Sequence, residues 1–280
     1  GRARAVNLLV TRTCIGFLFD ETAPRRADLC RWFRANSGAN ANLLGPLLQV
    51  VFNALLPSEL SCMLAADIPT IAAPALRSVC AECPRSVPSD ALYRFYAAVL
   101  SAGEVGGTAA AAAPGQGAVA AIRNLPKNML KTLIEAISSV VNKQTDRQAR
   151  IAGFGRLLTP LATTLQAVLN QLKARPGANS TPLSADNRNV VATTLDCMHM
   201  VIRHVDVSTN QNQHGNAPTA PPGAEHPIIT ALRQLWPMFD QVLSLASADA
   251  VVVEKLFAVN KHVIRRVGPH AAQTVLSPIL

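Results

Sequence analysis

The residues of this chain best suited to chemistry are a pair of cysteines and a pair of histidines. Cys80 and Cys83 have the Cys-x-x-Cys spacing of metal and redox sites, but a zinc site needs a second pair of ligands at short range. His199 and His204 lie far downstream, and their separation of five residues places them on different faces of one helix. The chain also lacks a nucleophile elbow and a glycine-rich phosphate loop. We therefore predict no metal site, no cofactor and no catalytic residue, and do not expect an enzyme.

A run of basic side chains between residues 251 and 267 is the strongest candidate for a binding site. On a helical wheel, one arc holds Lys255, Lys261, His262, Arg265 and Arg266, and valine, leucine, isoleucine and phenylalanine side chains occupy the opposite arc. Such a surface suits an acidic or phosphorylated peptide, because arginine binds phosphate through two parallel hydrogen bonds and lysine acts as a point charge. An ordinary amphipathic helix with a solvated charged face explains the same pattern.

The composition excludes several classes of protein. Hydrophobic residues make up 49% of the 280 residues and charged residues only 15%, a balance that excludes a disordered chain. No stretch reaches the roughly 18 uninterrupted apolar residues of a membrane span. The net charge of +9 is spread evenly, with 13 basic and 9 acidic residues in the first half and 13 and 8 in the second. Nucleic acid and membrane are not expected as partners, because an arm that binds either would cluster its basic residues.

Helical periodicity positions the candidate residues. Between 125 and 141, apolar side chains recur at offsets of 4, 5, 8, 9, 12, 15 and 16 from Leu125, which trace one stripe of a helix. No segment shows a convincing strict alternation, so the chain is predicted to be all-α. The candidate helices are 3–18, 25–35, 41–55, 70–82, 88–101, 125–142, 148–172, 185–206, 226–246, 249–267 and 269–279.

Loops at 102–117, 174–183 and 207–225 interrupt these helices. Helix pairs of about 40 residues are the period of HEAT and armadillo repeats. We therefore predict that residues 1–280 form an α-α superhelix of this type, with a globular helical bundle as the structural alternative. Ser89 and Asp90 are expected to cap the helix at 88–101. Thr159 and Pro160 are expected to divide 148–172 into two pieces, and Pro237 to delay or kink the helix at 226–246.

Four segments, taken in order, resemble the importin-β superfamily of nuclear transport receptors, and more narrowly its branch of transportin-SR and importin thirteen. The most specific segment is 226–268, which begins His-Pro, contains a Trp-Pro pair and closes with Arg-Arg-Val-Gly. The first segment combines 42–55 with 72–84, whose helix ends in Val-Cys-x-x-Cys. The remaining segments are 88–101, and 125–141 with 156–172.

The resemblance implies a role for residues in the last segment. In that branch, a row of arginines on the corresponding helix grips the phosphorylated Arg-Ser domains of splicing factors. Lys255, Lys261 and Arg265 match positions in that row, whereas Ala258 stands where the family pattern is basic. Together with the adjacent Arg266, these three basic residues are the predicted cargo-binding residues.

The function implied is that of a nuclear import receptor. The chain, which begins at Gly1, would be the middle-to-late part of a longer solenoid, with Cys80 and Cys83 as packing residues. It would bind protein cargo and nucleoporins, with phosphorylated Arg-Ser-rich splicing factors as candidate cargo, and shuttle between nucleus and cytoplasm. The small GTPase Ran would bind an amino-terminal arch outside this chain. The alternatives are a helical-repeat scaffold without a transport role, and a basic solenoid that binds RNA or DNA.

Overall fold

A computed structural model of the chain describes residues 48–49, 51–52, 68–101, 119, 122, 128–174, 183–207 and 226–267. Seven helices and no strands lie within these ranges, so the prediction of an all-α fold is confirmed. The helices are α1 (Ile68–Glu82), α2 (Ser89–Ser101), α3 (Met129–Asn142), α4 (Arg147–Lys173), α5 (Ala185–His204), α6 (Pro227–Ala246) and α7 (Ala250–Val267).

The helices pack in two layers, and the chain alternates between them. The first layer contains α1, α3, α5 and α7 side by side in that order, and the second contains α2, α4 and α6. The layers meet where α3 contacts α2 and α4, where α4 contacts α5, and where α6 contacts α7. Each helix of the first layer therefore lies next to the helix two positions away in the chain.

Three neighbouring helices of the first layer, α3, α5 and α7, run in the same direction. Just before α7, Asp249 forms an ion pair with Arg188 in the first turn of α5. At the other end of α7, Arg266 reaches the backbone at the end of α5. The side chain of Asn142, the last residue of α3, donates a hydrogen bond of 2.6 Å to the carbonyl of His204, the last residue of α5. Polar contacts at both helix ends thus fix the register of the layer.

The core between the layers is largely aliphatic, as expected for amphipathic helices that bury one stripe each. Tyr96 is the largest of the fully buried side chains, and its hydroxyl donates to the carbonyl of Leu157 at 3.1 Å. Cys80 and Cys83 are buried in the core, which agrees with their interpretation as packing residues. Cys197 is also buried, and burial raises the pKa of its thiol to about 12, so it stays protonated and unreactive.

Side-chain caps define where three helices begin. The carboxylate of Asp146 accepts hydrogen bonds from the N–H groups of the first turn of α4. The hydroxyl of Ser184 accepts one from the first turn of α5, and Nδ1 of His226 accepts one from Ile228 in α6. Each cap satisfies an N–H group that has no partner inside its helix.

Expectations about three helices were wrong in whole or in part. The first concerns α4, which runs without a break through Pro160; Thr159 lies inside it and donates its hydroxyl to the carbonyl of Gly155 at 2.9 Å. Likewise, α6 starts at Pro227 and continues through Pro237, so a delayed start is wrong, and the alternative of a kink at Pro237 stays a prediction. Ser89 is the first residue of α2 instead of its cap, and Asp90 pairs with Arg156 at 2.6 Å. Packing against several neighbouring helices outweighs the local preference of each proline.

Several predicted features lie outside the described residues. They include the candidate helices at 3–18, 25–35 and 269–279, most of 41–55, and nearly all of the three predicted loops. Among the helices that are described, none is both long enough and apolar enough to cross a membrane.

Candidate binding surface on the first helical layer

Asp196 of α5 joins three helices of the first layer. Its carboxylate lies 2.7 Å from Nζ of Lys131 on α3 and 3.1 Å from Nζ of Lys255 on α7. Burial alone would raise the pKa of Asp196, but the hydrogen bonds from the two lysines outweigh that effect and lower it. The predicted site residue Lys255 therefore already has a partner within the fold.

A second group of charged side chains crosses the same layer nearer the start of the chain. Glu135 of α3 forms an ion pair with Arg77 on α1, with 3.1 Å between Oε2 of the glutamate and Nε of the arginine. On its other side it lies 3.9 Å from Nε2 of His204 on α5. Burial lowers the pKa of His204, and the facing carboxylate only partly offsets that effect. Acidic residues on α3 and α5 are therefore each matched by basic groups from the flanking helices.

Arg266, another predicted site residue, closes the end of α5. Its Nη1 lies 2.7 Å from the carbonyls of Ile202 and Val205, and its Nη2 lies 3.5 Å from Asp206. The last carbonyls of a helix have no partner within the helix, so a guanidinium that binds them acts as a C-terminal cap and favours the negative end of the helix dipole. The structure thus uses Arg266 to join α7 to α5.

The other two predicted site residues, Lys261 and Arg265, are exposed on α7 and form no ion pair with any described residue. Arg203 on α5 is also exposed and also forms no ion pair with any described residue. Its positive charge, like that of Arg265, lowers the pKa of His262. We refer to Arg203, Lys261 and Arg265 as the basic patch. Sequence reasoning missed Arg203 because it lies on a different helix, and only the side-by-side packing of α5 and α7 brings it to the same histidine as Arg265.

Two histidines meet beside the basic patch, across the contact between α5 and α7. The rings of His199 and His262 lie edge to face, with centroids 4.8 Å apart. Burial lowers the pKa of His199, and His262 lowers it further. Burial also lowers the pKa of His262, followed by the effects of Arg203, Arg266 and Arg265. Both imidazoles are therefore held in the neutral form more strongly than a free histidine.

The apolar arc of α7 is narrower than the helical wheel suggested. Its buried residues are Val252, Leu256, Val259 and Val263, at alternating spacings of four and three. Phe257, which the wheel placed on the apolar arc, is 61% exposed. It follows Leu256 by about 100° around the helix, which turns it away from the layer contact.

The described residues contain no group of three or more histidine, cysteine, aspartate or glutamate side chains arranged to hold a metal ion. No protein-family model, curated protein or solved structure matches the chain.

Proposed function

We propose that this chain is the cargo-binding part of a nuclear import receptor built from HEAT-type helix pairs. Three exposed, unpaired basic residues on two adjacent helices carry the proposal: Arg203, Lys261 and Arg265. The surrounding cations Lys131, Lys255 and Arg266 are occupied by partners within the fold. Arg203 and Arg265 therefore leave positive charge available to a ligand near the end of the α5–α7 contact, where both act on His262.

The layered packing favours a repeat architecture over a globular bundle. Helices two positions apart lie side by side in each layer, which is how consecutive helix pairs stack in a solenoid. Such stacking presents a continuous surface from successive repeats, on which a partner protein can lie in an extended conformation. We propose that cargo binds on the first layer, because α5 and α7 belong to it.

The chemistry of the basic patch suits phosphorylated segments of cargo. Two of its three residues are arginines, which bind phosphate oxygens through paired hydrogen bonds. Lys261 and Arg265 are four residues apart on one helix, and Arg203 adds a second side to the site. Phosphorylated Arg-Ser segments provide repeated phosphates for such a site and are the proposed cargo.

A binding titration with a short fluorescent Arg-Ser repeat peptide, phosphorylated and unphosphorylated, tests this proposal. We expect the phosphorylated peptide to bind more tightly, and the double variant Lys261→Glu with Arg265→Glu to weaken binding at least about tenfold, which corresponds to about 1.4 kcal/mol. The control variant Arg94→Glu with Lys173→Glu makes the same change of charge on α2 and α4, and should bind normally.

Three outcomes would overturn parts of the proposal. Equal affinity for the two peptides, or no loss in the Lys261→Glu and Arg265→Glu variant, would reject the phosphate site. Failure to recover nucleoporins and cargo from nuclear extract would favour a scaffold without a transport role. Tight binding to RNA or DNA that weakens steeply with salt would instead favour a nucleic-acid-binding solenoid.

A further inference from the structure

The contact between α5 and α7 combines two facing imidazoles with an excess of positive charge. The groups that face the His199–His262 pair are, on α5, Asp196, Arg203 and His204, and on α7, Lys255, Arg265 and Arg266. Only one of these is acidic. Asp196 is already bound by Lys131 from α3 and by Lys255, and Glu135 of α3 lies against His204 and Arg77 of α1.

In the free protein, this surface therefore disfavours protonation of the pair. A proton on either ring would add a positive charge beside several cations, in a partly buried position. Among the described residues that face the pair, the one carboxylate is that of Asp196, which two lysines already bind. Two protonated rings would also repel each other, since their centroids are only 4.8 Å apart. An anion placed at the basic patch would supply the missing negative charge.

We propose that the His199–His262 pair and the basic patch form a proton-coupled site for an anionic peptide, in which binding of the peptide and protonation of the histidines stabilise each other. This inference rests on the proposed function, because it uses the same surface, but it adds two residues to the site and a dependence on pH. The ligand class is a peptide that carries several anionic oxygens, either as phosphates or as carboxylates.

Thermodynamic linkage fixes the sign of the effect. If the bound peptide raises the histidine pKa values, binding takes up protons, and affinity increases as the pH falls. The increase begins near the bound-state pKa and ends below the free-state pKa, which itself lies below the usual value of about 6.5. Each proton taken up strengthens binding by at most about tenfold per pH unit.

The test is isothermal titration calorimetry of the chain with a poly-glutamate peptide and with a phosphorylated Arg-Ser peptide between pH 5.5 and 8. The glutamate peptide isolates the histidines, because its carboxylates titrate near about 4.3, whereas phosphate itself titrates near about 6. Comparing buffers of different ionisation enthalpy gives the number of protons taken up. We expect uptake of about one proton near pH 6.5 with the poly-glutamate peptide. With the phosphorylated peptide, protons released from the phosphates on binding offset part of that uptake.

Substitutions of the histidines test whether the His199–His262 pair binds the proton that is taken up. Replacing both histidines, His199→Gln with His262→Gln, should abolish the proton uptake and the rise in affinity for the poly-glutamate peptide between pH 8 and pH 5.5. The control His204→Gln removes a histidine of the same helix that faces Glu135, and should retain the uptake. Histidine NMR titrations of the unmutated chain provide a measurement that does not depend on the variants folding: the pKa of His262 should rise when peptide binds.

The possible results separate this inference from the proposed function. Binding of the poly-glutamate peptide without proton uptake would overturn the proton coupling alone. So would a proton balance, with either peptide, that is the same in the double glutamine variant as in the unmutated chain. Absence of binding by either peptide across the whole pH range would overturn both. Proton uptake with the glutamate peptide and no preference for phosphate would retain the coupled site and reject phosphorylated cargo.

Discussion

The Nζ of Lys255 lies 3.1 Å from Oδ1 of Asp196, so this lysine joins α7 to α5. Asp196 also holds Lys131 at 2.7 Å, which makes it the shared partner of two cations from opposite sides. Although the helical wheel groups Lys255 with the exposed basic residues of α7, its contact with the neighbouring helix gives it a structural role.

Replacing Lys255 by methionine should affect stability more than peptide binding. The apolar part of the side chain is kept and the ion pair is lost, so we expect the free energy of unfolding to fall by up to about 1 kcal/mol. Affinity for the phosphorylated peptide should change less than about twofold. Urea denaturation and a binding titration measure the two effects, and a tenfold loss of affinity with unchanged stability would show that Lys255 contacts the ligand directly.

Arg265 and Arg266 are adjacent and chemically identical, but the structure gives them opposite roles. Arg265→Gln should weaken peptide binding severalfold without changing stability, because its side chain is exposed and unpaired. Arg266→Gln should lower the free energy of unfolding by about 1–3 kcal/mol, because it leaves carbonyls at the end of α5 without their donor. Thermal melts and titrations of both variants test this, and the reverse assignment would contradict the described packing.

The sequence predicts the helices well because each one carries a complete apolar stripe. In α3, Leu133, Ile134, Ile137 and Val141 follow the helical period and are all buried. Local signals were less reliable where packing opposes them. Pro160 marks a helix start by its own preference, yet Leu157, Leu158 and Leu161 are buried on both sides of it and keep α4 continuous.

The binding surface was predictable only in part, because its composition depends on pairs of helices. The periodicity of α7 identifies Lys261 and Arg265 as outward-facing residues, and the structure exposes both. The periodicity of α7 contains no information about Arg203 or Asp196, which belong to α5 and are about 60 residues away in the chain. The alternation of layers decides that α5 and α7 are neighbours, and this alternation determines which basic residues are neutralised and which stay free.

Gly153 allows α4 to approach α2 and α3 closely. A Cβ at this position would collide with Oη of Tyr93 and lie 3.0 Å from a methyl group of Val141. Gly153→Ala should therefore lower the free energy of unfolding by about 1–3 kcal/mol. The Tyr93 hydroxyl is buried and has no hydrogen-bond partner among the residues that the structure describes. Tyr93→Phe should therefore be nearly neutral by itself and should recover part of the loss in the double variant.

Gly155→Ala is the matched control for that experiment. It lies in the same helix with open space around its Cβ position, so the added methyl group meets nothing. Because glycine is less favourable than alanine inside a helix, this substitution should stabilise the protein by up to about 1 kcal/mol. Equal effects of the two substitutions in urea denaturation would show that the close contact with Tyr93 does not limit residue 153.

The capping hydrogen bond of His226 at the start of α6 should make the stability of the protein depend on pH. Nδ1 of His226 accepts the N–H of Ile228 at 3.2 Å, which requires a neutral ring. Burial lowers its pKa, and Arg266 and Arg147 lower it further. A folded-state pKa below the unfolded value of about 6.5 means that stability is complete above that pH and falls as the pH drops through the folded-state pKa. His226→Asn keeps a capping side chain without the titration, so urea denaturation should show equal stability at pH 8 and a smaller loss of stability at pH 5.5 than in the unmutated chain. An unchanged pH profile would mean that the cap does not contribute to it.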